Sequence, residues 1–142
     1  MLKLESIQLL DGVSTWQEAI RKSSTPLILG GYITEKYPEE IIRQTEKLGA
    51  YYIIKPAVAL AHASVNFGVN QRQMSALLLK RGVHFPKHAE PVRLLIILAA
   101  SDATSHLQAL KKLAQVLIDD SRLERIFLSS TPAELYKNLV PA

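Results

Sequence analysis

The sequence predicts an α/β domain, and three observations carry that prediction. Residues 91–100, PVRLLIILAA, are almost continuously apolar after Arg93, the pattern of a strand covered on both faces, and they mark the centre of a sheet. Ser101 and Asp102 follow at once and cap a stretch in which Leu107, Leu110, Leu113, Ala114, Leu117 and Ile118 recur at helical spacing up to an Asp119-Asp120 stop. The length, 142 residues with 48% hydrophobic and 21% charged, fits a single domain over 1–142.

The remaining elements follow in order. Ser14 or Thr15 caps a first helix, which presents Trp16, Ala19 and Ile20 on one face and runs to about Pro26. The Gly30-Gly31 pair breaks regular structure; Thr34, Glu35 and the Pro38-Glu39-Glu40 triplet then open a second helix carrying Ile41, Ile42, Thr45 and Leu48, which Gly49 ends. From Tyr51 the period changes. YYIIKPAVALAHASV is rich in β-branched and aromatic residues and interrupted by Pro56, so it reads as two short extended pieces around a turn, with His62 at the end of the second. Residues 73–80 (QMSALLLK) read as a strand, and RGVHFP at 81–86 as its exit or a short hairpin. Two short helices, about 121–128 and 131–139, finish the chain; Thr131, Pro132 and Glu134 open the second.

Composition narrows the function. Without cysteine there is no disulfide framework, thiolate metal site or thiol nucleophile, in keeping with a reducing cytosol. The net charge of +4 is scattered, which gives no indication of nucleic-acid binding. No apolar run approaches the ~20 residues of a membrane span, and the amino terminus mixes charges where a signal peptide is apolar, so a cytoplasmic protein without membrane insertion is expected. The chain has no P-loop, dinucleotide fingerprint, Gly-x-Ser-x-Gly elbow or paired carboxylates suited to glycosidase chemistry.

Four histidines remain, and an imidazole can be a neutral nucleophile or a proton carrier at cellular pH. His84 and His88 have a helical ligand spacing, but Pro86 between them argues for solvated loop residues rather than a metal site. His62 stands between Ala61 and Ala63, so small neighbours allow a partner to approach; its other reading is a strand-end histidine that only bonds a nearby carbonyl. His106 falls in the first turn of the helix opened by Ser101 or Asp102, where free amides favour an anion, or where a polar residue simply faces water.

The residues around these two histidines resemble a known family. PAVALAHA at 56–63 resembles the phosphorylation segment of fructose/mannitol-type (type 2) enzyme IIA domains of the bacterial phosphoenolpyruvate-dependent sugar phosphotransferase system, most of all the ascorbate-like branch. PVRLLIILAASD at 91–102 with Ser105-His106-Leu107, and the opening IQLLDGVSTWQEAIRKSSTPLILGGYIT, resemble further segments of these domains in the same order. The resemblance implies a mixed β-sheet flanked by helices on both faces. It implies that His62 takes a phosphoryl group from the phosphocarrier protein HPr and passes it to a cysteine of a IIB partner, while His106 bonds the phosphoryl oxygens, with no metal or cofactor. An apolar patch around His62 would receive HPr, with Val65 and Phe67 as candidates; their other reading is core packing.

Two departures from the family pattern stand out. Ala61 replaces the proline common before the histidine, which leaves the loop less rigidly set. Between Arg43 and Arg72 there is no arginine at the phosphate-binding position of mannitol- and fructose-type members, since Arg43 is out of step and the position falls nearer Glu46. The ascorbate-like branch also tends to lack it, and a weaker phosphate clamp is expected. A regulatory reading stands beside the transport one: the opening segment fits equally the IIA-like domains of antiterminator-type transcriptional regulators, where phosphorylation of the histidine reports sugar supply. A plain interaction domain, with His62 never phosphorylated, is the third.

Overall fold

The computed structural model describes residues 2–63, 67–100 and 102–140, without the side chains of Ala103, Ser105, His106 and Ala109. The elements are β1 (Leu2–Leu10), α1 (Trp16–Leu29), α2 (Lys36–Leu48), β2 (Ile53–Lys55), β3 (Val58–Ala61), β4 (Gln73–Val83), β5 (Val92–Ala99), α3 (Ala103–Leu117), α4 (Asp120–Phe127) and α5 (Pro132–Leu139). The strands form one mixed sheet in the order β1-β4-β5-β3-β2. β1 runs parallel to β4, β4 antiparallel to β5, β5 parallel to β3, and β3 antiparallel to β2. The α/β class and the central place of β5 are as expected. Side chains of β5 alternate between two hydrophobic layers, Leu95 and Ile97 under α1 and α2, Leu94 and Ile96 under α3, α4 and α5.

Several boundaries differ from the sequence reading. α1 continues through Pro26 to Leu29. Proline there cannot donate to the Lys22 carbonyl, and the Gln8 side-chain amide does so instead at 2.7 Å, so the helix passes its proline with that acceptor satisfied. Thr15, of the two candidates, is the cap, accepting from the Glu18 amide. Thr34 does not cap α2: Glu35 holds the N-cap position without a side-chain bond. Asp119 caps α4, accepting from the Arg122 amide, besides following the end of α3.

The amphipathic reading of α3 needs turning. Leu113, Val116 and Leu117 are buried, whereas Leu107, Ala114 and Ile118 face water, as Leu48 does on α2. β1 was not foreseen at all. It is an edge strand in which Lys3 and Glu5 alternate with apolar residues, and only Ser6 and Ile7 are buried. Among the described residues no helix is long and apolar enough to cross a membrane.

Candidate active site

β3 is short and wholly buried, and ends at Ala61; His62 is the first residue beyond it and is partly buried. Ala59, Ala61 and Ala63 are buried in the same hydrophobic cluster as Tyr37, Ile41 and Ile42 of α2, so these small side chains serve the core as well as access to the histidine. His62 Nδ1 lies 2.8 Å from the carbonyl oxygen of Leu60. A carbonyl only accepts, so Nδ1 carries the proton and, in the neutral ring, Nε2 carries the lone pair.

Two tyrosines frame the imidazole. Tyr51 stands edge-on to it at 5.8 Å between ring centroids, and its hydroxyl donates to the His62 carbonyl at 3.1 Å. Burial, and secondarily the charge of Glu40, raise the Tyr51 phenol, which keeps it a donor. Tyr52 approaches the ring at 6.5 Å and continues the cluster to Phe85. Neither tyrosine was singled out from sequence. Hairpin register was the available signal: with Ile53 opposite Ala59, the count back along β2 brings Tyr51 opposite the end of β3.

His106 belongs to α3, which follows β5, while His62 follows β3; these are neighbouring parallel strands, so both histidines lie beyond the same carboxyl ends. Strand neighbours are ~4.8 Å apart, and the crevice beyond such ends is where α/β sheets bind ligands. Ser101, Val65 and the side chains of Ser105 and His106 lie outside the described residues, as do the phosphoryl contacts expected of His106; Asp102, the other capping candidate, is described and directly precedes α3. Phe67 is described and is 37% exposed. The segment behind it is anchored: the Gly68 carbonyl accepts from the Thr34 amide at 2.8 Å, and the Asn70 amide donates to the Tyr32 carbonyl at 2.9 Å.

His84 and His88 are exposed in the loop after β4, which runs antiparallel to β5 and so leaves them at the far end of the sheet from His62. Among the described residues no group of three His, Cys, Asp or Glu side chains could hold a metal ion. Arg43 is paired within α2, its Nε donating to a Glu40 carboxylate oxygen at 2.8 Å, and the guanidinium holds that carboxyl below its usual range. Its charge is therefore neutralised locally.

The family described as "Phosphoenolpyruvate-dependent sugar phosphotransferase system, EIIA 2" matches residues 1–140. The chain belongs to this family. The mannitol-specific cryptic phosphotransferase enzyme IIA component of Escherichia coli strain K12 is 39% identical over 130 residues, which are 92% of this chain and 88% of that one. The solution structure of the Escherichia coli protein of that description matches with a TM-score of 0.90 at 38% identity, covering 95% of this chain and 92% of the other. The ascorbate-specific EIIA component of Mycoplasma pneumoniae is 34% identical over 124 residues, 87% of this chain and 77% of that protein. Mannitol enzyme IIA of Escherichia coli, in its complex with phosphorylated mannitol enzyme IIB, matches at a TM-score of 0.83 and 28% identity, covering 98% of both chains. As an enzyme IIA component of the mannitol/ascorbate type, the chain is a phosphoryl carrier of the sugar phosphotransferase system.

Proposed function

We propose that this carrier takes its phosphoryl group from HPr onto Nε2 of His62, in the cytoplasm, and passes it to a cysteine of a IIB protein. The observation that carries the reading is the bond from Nδ1 of His62 to the Leu60 carbonyl, which places the nucleophilic lone pair on Nε2 and holds the ring through its other nitrogen. In the first step the Nε2 lone pair attacks phosphorus in line; a P–N bond forms as the donor's P–N bond breaks, and the departing imidazole keeps the electron pair. The second step is the same displacement by a IIB thiolate, which returns His62 to its starting form. The Leu60 carbonyl stabilises the cationic ring in between, because its partner nitrogen remains a donor throughout.

His106, on the neighbouring strand's helix, supplies a donor to the phosphoryl oxygens. Exposed Tyr51 and Phe67 form the apolar part of the docking surface, small as transient contacts are. The IIB partner is supported by the likeness to a IIA that was solved bound to one. The relatives compared are enzyme IIA components, which puts the transport role ahead of the regulatory one.

The test is incubation with phosphoenolpyruvate, enzyme I and HPr, followed by intact-mass measurement. One acid-labile phosphoryl group is expected on the wild type and none on His62→Ala. Equal mass gain in the two proteins would falsify the assignment.

A further inference from the structure

Tyr37 sits in the first turn of α2 and is fully buried. Its hydroxyl donates to the carbonyl of Leu98 at 2.5 Å and accepts from the amide of Ala63 at 3.1 Å. These two groups are not arbitrary. The β3–β5 register pairs Ala59 with Leu95 and Ala61 with Ile97, and the Leu94 amide bonds the Ala57 carbonyl. The ladder of a parallel pair therefore alternates Leu94, Ala59, Ile96, Ala61 and Leu98, and its next bond would join the Ala63 amide to the Leu98 carbonyl. The phenol oxygen stands between that donor and that acceptor. Both stay satisfied, yet the chain is held off the sheet by one inserted atom, and β3 stops at Ala61 with His62 at the point of departure.

We propose that Tyr37 is a positioning residue for His62: its hydroxyl is a wedge that ends β3 and tethers the departing segment to the end of β5, from which the helix bearing His106 begins. This inference rests on the phosphoryl-transfer reading of His62. Burial pushes the phenol up to about 12, so the hydroxyl keeps its proton, and with it the bond to Leu98, across the range in which the protein would work.

Tyr37→Phe removes the wedge and leaves the ring to fill its site. The Ala63 amide and the Leu98 carbonyl can then meet directly, so the variant should fold, with β3 extended and the His62 ring displaced. A coupling across the new Ala63–Leu98 hydrogen bond and shifted His62 ring resonances are the expected NMR signatures. Because a misplacement near 1 Å can cost on the order of 10²-fold, single-turnover phosphorylation by phospho-HPr should slow at least tenfold at saturation, with the HPr concentration for half-maximal rate changed less than about twofold. A folded Tyr37→Phe protein that reacts at the wild-type rate overturns the proposal, as does a change confined to the concentration dependence, which marks docking instead. If the variant does not fold, the wild-type protein carries the test: a direct hydrogen-bond coupling between the Ala63 amide and the Leu98 carbonyl in its spectrum would mean that no hydroxyl stands between them and would overturn the proposal. The resonance measurements need no phosphoryl donor, so a wild-type protein that fails to be phosphorylated would sink the functional reading while the geometry is still tested.

Discussion

Between the sheet and α1 and α2, hydroxyl groups are buried and bonded: Ser75 donates to the Ser23 carbonyl at 2.6 Å, Tyr52 meets Thr45 at 2.7 Å, and Tyr37 bridges Ala63 and Leu98. Between the sheet and α3, α4 and α5 the buried layer is aliphatic, with Ile7, Leu78, Leu94, Ile96, Leu117 and Leu135 meeting. Dispersion and burial hold layers together without fixing register, whereas a hydrogen bond has a direction and a penalty when missed. His62 is placed by the first kind of layer. Among the described residues every buried side-chain polar atom has a partner, so the polar layer is a completed network rather than a weakness. The comparison predicts that damage to the aliphatic layer lowers stability with little effect on chemistry, and that damage to the polar layer does more to chemistry than to stability.

The largest effect is expected from the aliphatic side. Ile96 is 1% exposed in the central strand, and Ile96→Ala should cost about 2–5 kcal/mol of unfolding free energy. Measured by urea denaturation, that loss should come with near-normal phosphorylation of His62 at a temperature where the variant remains folded. A comparable loss of transfer rate in the folded variant would erase the distinction between the layers.

Next comes His106, carried by the helix of the aliphatic side but beyond the same strand ends as His62. As a donor to the phosphoryl oxygens it should be worth on the order of 10²-fold in rate. His106→Ala should still accept the phosphoryl group at His62 and pass it on slowly, and His106→Gln should recover part of the rate. Normal rates in both half-reactions, followed by rapid quench, would remove His106 from the site.

How far the sequence was legible follows the same division. β5 could be read because a strand covered on both faces shows an unbroken apolar run, and Thr131, with the choice between Ser14 and Thr15, because capping is a local act within four residues. β1 escaped because an edge strand with Lys3 and Glu5 in it has no such run, and α3 was turned because apolar periodicity records spacing rather than which side meets the sheet. His62 and His106 were singled out as site candidates through motif resemblance. Tyr37 and Tyr51 were not, because what they do depends on contacts 26 and 11 residues away that exist only once the sheet has formed.

The smallest effects, and the sharpest test of the polar layer, lie at Thr45 and Tyr52. Thr45 donates to the Ile41 carbonyl at 2.7 Å, so its single proton is spent and the Tyr52 phenol must be the donor in the bond between them. Burial raises the Tyr52 phenol further, which keeps that donor in place. Thr45→Val leaves the phenol buried without an acceptor and should cost about 1–3 kcal/mol, whereas Tyr52→Phe removes the donor itself and should cost only about 0.5–1.5 kcal/mol. Once Tyr52 is Phe, the Thr45→Val change strands nothing, so the double variant should be less destabilised than the sum of the singles by at least about 0.5 kcal/mol. Tyr52 also stands against the His62 ring, so Tyr52→Phe should shift the imidazole resonances while Thr45→Val, which keeps the ring in place, should shift them less. Additive energies would mean that the hydroxyls touch without depending on each other, and the buried polar layer would then be packing of the same kind as the aliphatic one.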